Sequence, residues 1–170
     1  MSAQKNKLAV TLPSDREIQF LRDFDAPREL VWEVFTKPEH IKQWWGNSRL
    51  TMIVCELDLR VGGTYRFVGR MADGKEVPFC GEHKEIVPLK RIVYTEVFDV
   101  APYNQFPAVV TTVFTALDDS HTRMRITSLH VSKEVRDVVI ATGMEEGAAE
   151  SYDYAERVMA NERARARAAR

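Results

Sequence analysis

The sequence predicts an α+β domain in which one long, curved antiparallel sheet of about seven strands, with two short helices after the first strand, wraps around a long C-terminal helix. Three observations predict it. An alternation of apolar and polar residues with a period of two begins near Leu50 and persists to Val131, interrupted only by turn chemistry. A helical spacing of apolar residues then runs from Ser132 into the C-terminus. Finally, 170 residues of which 45% are hydrophobic suffice for one domain with a full core and an internal cavity, without metals or disulfides.

Residues 1–15 read as a flexible lead-in containing one apolar patch, Leu8-Ala-Val-Thr-Leu12. From Arg16 to Phe24, Ile18, Phe20 and Phe24 share a parity broken only by Arg22, as in a half-buried strand. Asp25 is placed to cap the first helix, Pro27 falls in its first turn, and Leu30, Val31, Val34 and Phe35 lie on one arc. Lys37-Pro38 ends that helix, and Pro38 opens a second that carries Ile41, Trp44 and Trp45 and closes at Gly46.

Strands follow over Leu50 to Asp58, Thr64 to Arg70, Val77 to Val87, Arg91 to Asp99, Ala108 to Leu117 and Thr122 to Val131. They are separated by Gly62-Gly63, Asp73-Gly74, Pro88, the two-proline loop Ala101 to Pro107, and Asp118-Asp-Ser-His121. Ser132 caps the last helix, whose apolar stripe includes Val135, Val139, Met144, Ala148, Ala155, Val158 and Met159. Gly143 and Gly147 either kink this helix or clear space for something lying against it. The domain therefore spans 16–160. Residues 161–170 form a basic tail on the helix, where cations suit the dipole.

A formal net charge of −1 argues against nucleic acid as a partner, because phosphate contacts need a gathered excess of Lys and Arg. No apolar run approaches the length of a membrane span, and the polar N-terminus leads into none, so a cytoplasmic protein is expected. Cys55 and Cys80 match neither a redox pair nor a zinc spacing and are expected as buried thiols. His40, His83, His121 and His130 show no ligand spacing, and no metal is expected. Phosphate-cradling, dinucleotide-binding and nucleophile-elbow motifs are missing, and no cofactor is expected.

The parity of large apolar residues assigns an inward face to the sheet: Tyr65 and Phe67; Phe79, Gly81 and His83; Tyr94, Glu96 and Phe98; Thr112 and Phe114; then Met124, Ile126, Ser128 and His130. Glu96 is an acid on a core face, where desolvation favours its neutral form unless a base or donor answers it. His83 and His130 share that face. A carboxylate with one or two imidazoles in an apolar cavity suits proton abstraction or dehydration, but equally a structural or ligand-orienting role. No residue is assigned to catalysis. Trp44 and Trp45 read as core, one of them at a cavity rim, and Met144 faces the cavity from the last helix.

Five segments then carry a resemblance. They are Phe24-Asp-Ala-Pro-Arg-Glu-Leu-Val-Trp32, Thr36-Lys-Pro-Glu-His-Ile-Lys-Gln-Trp-Trp-Gly46, Asp58-Leu-Arg-Val-Gly-Gly63, Gly81-Glu-His-Lys-Glu-Ile-Val-Pro88 and Thr142-Gly-Met-Glu-Glu-Gly147. In this order the chain resembles the START-like (SRPBCC, birch-pollen-allergen-like) superfamily, within it the branch named after the activator of the heat-shock chaperone's ATPase. Val61 and Asn47 stand where that pattern commonly has proline. The resemblance implies a helix-grip fold with a cavity under the last helix.

Three functions are expected of such a container. The first is a binding module for a small hydrophobic or aromatic molecule, contacted by Trp44, Trp45, Tyr65, Phe67, Phe79, His83, Tyr94, Glu96, Phe98, Phe114, His130 and Met144. The second is a polyketide cyclase or dehydratase working in the same cavity. The third is an interaction protein that binds a chaperone or forms a homodimer.

Overall fold

Alternation over the middle of the chain becomes a single antiparallel sheet. The computed structural model describes residues 6–170. Its strands are β1 (Ala9–Thr11), β2 (Glu17–Phe24), β3 (Leu50–Leu57), β4 (Thr64–Met71), β5 (Glu76–Val87), β6 (Arg91–Phe98), β7 (Ala108–Ala116) and β8 (Thr122–Leu129). The helices are α1 (Arg28–Thr36), α2 (Pro38–Trp44), α3 (Lys133–Ala141) and α4 (Met144–Ala168). Strand order is β1-β2-β8-β7-β6-β5-β4-β3, so a meander from β3 to β8 is completed by the N-terminal β2 lying against the last strand. Irregularities at Met52/Val54 and His83/Glu85 break the pairing register, the kind of local bulge that bends a strand. The expected architecture is thus observed, a helix-grip fold.

Four expectations need correction. The sheet has eight strands rather than seven, because Ala9–Thr11, within the stretch read as a flexible lead-in, pairs with Gln19–Leu21 of β2; the start of that stretch lies outside the described residues. The apolar patch there supplies an edge strand. Asp25 does not cap α1: Pro27 is the N-cap residue, in extended conformation, and no side chain caps the helix. The last helix is two helices. Ser132 does cap α3, its hydroxyl accepting the Val135 N–H, but the chain turns at Gly143 with φ of 74° before α4 begins. Cys55 and Cys80 are half-buried rather than buried.

The two glycines of the α3–α4 region divide the roles between them. Gly143 breaks the helix, in a left-handed conformation that costs other residues about 1–2 kcal/mol. Gly147 instead lies within α4 and clears space, since a Cβ there would stand 3.1 Å from the Asn47 side-chain amide.

The core occupies one end of the grip. Phe24, Val31, Val34, Ile41, Met124 and Met159 are almost fully buried where α1 and α2 meet the second half of α4. Burying each such side chain is worth roughly 1.5–3 kcal/mol. Tyr152, Ala155, Val158 and Met159 fill that end from α4. At the other end the α4 residues lining the space above the sheet include the small Gly147, Ala148 and Ser151. Small residues on the helix leave the concave face there unfilled.

Arg22, the one break in the parity of β2, is buried at 4% exposure. Its Nη2 donates to Asp153 Oδ1 of α4 at 2.8 Å and lies 3.8 Å from Glu156 Oε2. Glu156 also accepts the Asp25 N–H at 3.1 Å, and burial pushes its carboxyl up. A strand residue that looked out of pattern therefore ties β2 to the gripped helix.

Candidate functional site

The unfilled end of the grip is a cavity of about 720 Å³ between the concave face of the sheet and the first turns of α4. That is within the size range of small-molecule sites. Its rim is built from the α2–β3 loop, residues 46–50, and from the α3–α4 junction. The loop is held to α4 at two points. The Ser151 hydroxyl donates to the Gly46 carbonyl, and the Ser48 N–H donates to Glu150 Oε1 at 3.0 Å. Asn47 accepts the Arg49 N–H through its side chain at 2.9 Å.

All twelve residues singled out from the sequence reach the wall of this cavity. Phe67 and Phe79 meet Trp45 edge-on, with centroids 5.8 and 6.1 Å away, and Phe98 extends the wall from Phe79 at 5.3 Å. Tyr65 contacts Phe67 at 5.1 Å and stands nearly perpendicular to Tyr94 at 5.6 Å. Such pairs are worth about 0.5–1.5 kcal/mol beyond their buried area. Both tandem tryptophans point inward. Trp44 belongs to the core, with its indole N–H donating to the Val34 carbonyl at 2.8 Å, whereas Trp45 is only half-buried. Phe114 closes the packed end against Trp32 and Phe35, and Met144 sits at the rim as the first residue of α4.

The three polar candidates differ in how they are held. His83 is buried, and its Nδ1 lies 3.1 Å from the Gly63 carbonyl, a contact that requires the proton on Nδ1. The backbone N–H of His83 donates to the same carbonyl, so this residue pins the Gly62-Gly63 turn. His130 Nε2 lies 3.1 Å from the Ser128 hydroxyl, and burial, with Arg136 nearby, holds its imidazole below the usual range and therefore neutral. Glu96 hydrogen-bonds to no protein group among the described residues. Burial alone pushes its carboxyl up to about 7.

Strand register explains why nothing answers Glu96. It pairs with Ala108 of β7, and continuing the β7–β8 register by one residue sets His130 beyond Ala108 on the same row. The Cα atoms of Glu96 and His130 are thus two strands, about 10 Å, apart. On the other side, between the Cys80–Val97 and His83–Tyr94 pairs, stands Gly81. A Cβ on Gly81 would fall 1.7 Å from the Thr95 carbonyl oxygen and 2.8 Å from the Tyr65 ring, which crosses here to donate its hydroxyl to that oxygen at 3.2 Å. The carboxyl is flanked by two residues without bulk, inside an aromatic wall.

The pattern of residues over this fold is shared with a defined family, since the family model described as activator of Hsp90 ATPase homolog 1-like protein matches residues 25–159. The chain belongs to that family. No curated protein matches it. Among solved structures, a Rhodobacter sphaeroides protein superposes with a TM-score of 0.83 at 21% identity, covering 91% of this chain and 99% of that one. A Nitrosomonas europaea protein gives 0.78 at 22% identity over 90% and 99%. A Mycobacterium smegmatis protein gives 0.79 at 21% over 91% and 98%. At these identities the likeness concerns the fold.

Among the wall residues that the sequence reading did not single out, one lies close to Glu96. Tyr152 faces the cavity from α4, on the stripe of Met144, Ala148, Ala155 and Met159, where the i, i+4 spacing from Ala148 identifies it. Burial first, and the charge at Glu96 second, push the hydroxyls of Tyr65, Tyr94 and Tyr152 up. Three tyrosines thus surround one carboxyl. Near neutral pH it can donate a proton to a ligand acceptor or, ionised, accept from a ligand donor. No group of His, Cys, Asp and Glu among the described residues is arranged to hold a metal ion. No helix among them is long and apolar enough to cross a membrane.

Proposed function

We propose that this protein binds a small hydrophobic or aromatic molecule in the cavity beneath α4, with the aromatic wall supplying contact area and Glu96 fixing orientation. One observation carries the reading: an aromatic-lined cavity of about 720 Å³ holds an interior carboxyl to which no group among the described residues hydrogen-bonds. Leaving such a group unpaired costs folding free energy that a tightly packed apolar residue would not, and a ligand donor would offset the loss. His83 and His130 contribute shape and position, since each ring is engaged by a neighbour.

Titration with the neutral fluorescent hydrophobe N-phenylnaphthylamine tests this, read together with indole NMR of the three tryptophans. Saturable enhancement is expected, with the Trp45 indole shifting. Ala148→Phe, which fills the cavity from α4, should abolish it while the far-ultraviolet spectrum stays native. Binding that survives this substitution refutes the reading.

The family description suggests a chaperone partner as a second function, and one surface observation favours it. Val109 and Leu129, paired across β7 and β8, are exposed on the outer face of the sheet, and Val131 is exposed just beyond the end of β8. Stimulation of an Hsp90-type ATPase that Val109→Asp removes would support this function, and no stimulation would dismiss it.

A further inference from the structure

The charge of the cavity wall is one-sided. Its acids are Glu96 inside and Glu146 and Glu150 toward the rim, and its one Lys or Arg is Arg49 in the exposed rim loop. Glu150 is occupied by the Ser48 N–H and the Tyr154 hydroxyl. The groups facing Glu96 are Tyr65 from β4, His83 from β5, Tyr94 from β6, His130 from β8 and Tyr152 from α4, with neither Lys nor Arg among them. Burial is what raises its proton affinity, and Arg49 belongs to the rim loop rather than to the strands around Glu96. Beside it, the Tyr65 and Tyr94 rings meet edge to face at an interplanar angle of 88°, and both line the cavity. Aromatic faces attract cations through the negative face of the ring quadrupole.

We infer that the ligand is an organic cation: a hydrophobic, preferably aromatic body carrying a protonated amine that pairs with Glu96 beside Tyr65 and Tyr94. The inference rests on the cavity being the binding site, as proposed above. A neutral ligand can hydrogen-bond the carboxyl but leaves any charge on it uncompensated. A carboxylate ligand brings a second negative charge into an apolar enclosure beside it, where the interaction is least screened. An ammonium group satisfies the carboxylate and meets the neighbouring rings at once, and the aromatic lining from Trp45 to Phe98 covers the remainder of the molecule.

Three probes of one shape separate these cases: naphthylethylamine, naphthylethanol and naphthylacetate, titrated calorimetrically into the full chain at about pH 7.5. The amine should bind roughly ten-fold or more tighter than the alcohol, as for a charge-assisted hydrogen bond out of water, and the acetate more weakly than the alcohol. In Glu96→Gln the amine should fall to the affinity of the alcohol, with the alcohol unchanged. A second readout is protonic. Free Glu96 titrates near 7 and is mostly protonated at about pH 6.5, so amine binding there should release roughly half a proton or more into the buffer, while alcohol binding releases none.

An alcohol that binds as well as the amine, or an amine preference that persists in Glu96→Gln, overturns the cationic ligand and leaves the cavity reading standing. If N-phenylnaphthylamine itself fails to bind, or binds Ala148→Phe equally well, the cavity reading falls and the inference falls with it; if it binds but neither the amine nor the alcohol displaces it, the cationic ligand alone is overturned.

Discussion

Glu96→Gln should make the ligand-free protein more stable, and by an amount that depends on pH. The carboxyl titrates near 7 in the fold against 4.5 ordinarily, because burial disfavours its charge. Between these values the folded state holds a proton that the unfolded state has lost. Wild-type stability therefore falls as pH rises through 4.5 to 7, and the whole penalty is present above that window. Fully charged, the displacement corresponds to about 3 kcal/mol at 1.36 kcal/mol per pH unit. Water reaching an open cavity screens part of it, so a gain of about 1–3 kcal/mol is expected for Gln at pH 8 and almost none at pH 4. For a chain of this size that is a rise in Tm of roughly 3–10 °C. Thermal and urea unfolding of both proteins across this pH range measures it. Parallel stability curves would show that Glu96 ionises normally and that no unanswered carboxyl exists.

Other substitutions probe the scaffold that forms the site. Gly81→Ala should cost about 3 kcal/mol or prevent folding, as its methyl overlaps the Thr95 backbone carbonyl, which cannot withdraw as a side chain can; urea midpoints near wild type would contradict the strand approach described. Gly143→Ala meets no atom within 4 Å, so its cost of about 1 kcal/mol is purely conformational, and Gly143→Asn should cost less. Arg22→Met should lose about 2 kcal/mol, less than for a fully enclosed pair because Asp153 is exposed, and adding Glu156→Gln should recover part of it by removing the stranded carboxyl. A double-mutant cycle with zero coupling would separate Arg22 from Glu156.

Much of the wall of the site was legible because strand parity is rigid: once Tyr65 and Phe67 are inward, Phe79, His83, Tyr94, Glu96 and Phe98 follow by counting in twos. What parity does not carry is the partner of a polar side chain. His83, His130 and Glu96 look alike in sequence, yet two rings meet a carbonyl or a hydroxyl and the carboxyl meets neither. That difference arises across strands, from Gly81 and Ala108 flanking one position. The break at Gly143 was hidden for a related reason. Apolar spacing runs on through α3 and α4, and only backbone geometry distinguishes a helix that bends at a glycine from one that stops there. Tyr152 follows Ala148 by four residues, so its spacing places it on the buried stripe, but spacing alone does not say that its ring borders Glu96.

The pairing of β2 with β8 sets a schedule for making this molecule. Glu17 finds its partner Leu129 only after more than a hundred further residues have been added, whereas β3 to β8 pair successively with neighbours in the chain. During synthesis the meander can assemble while β2 waits as an unpaired edge. Arg22 must wait longer still, until Asp153 emerges. Contacts of such sequence separation slow folding, and waiting edges are where chains aggregate. The cavity needs α4, which follows every strand in the chain, and it therefore forms only after the sheet it covers has been made.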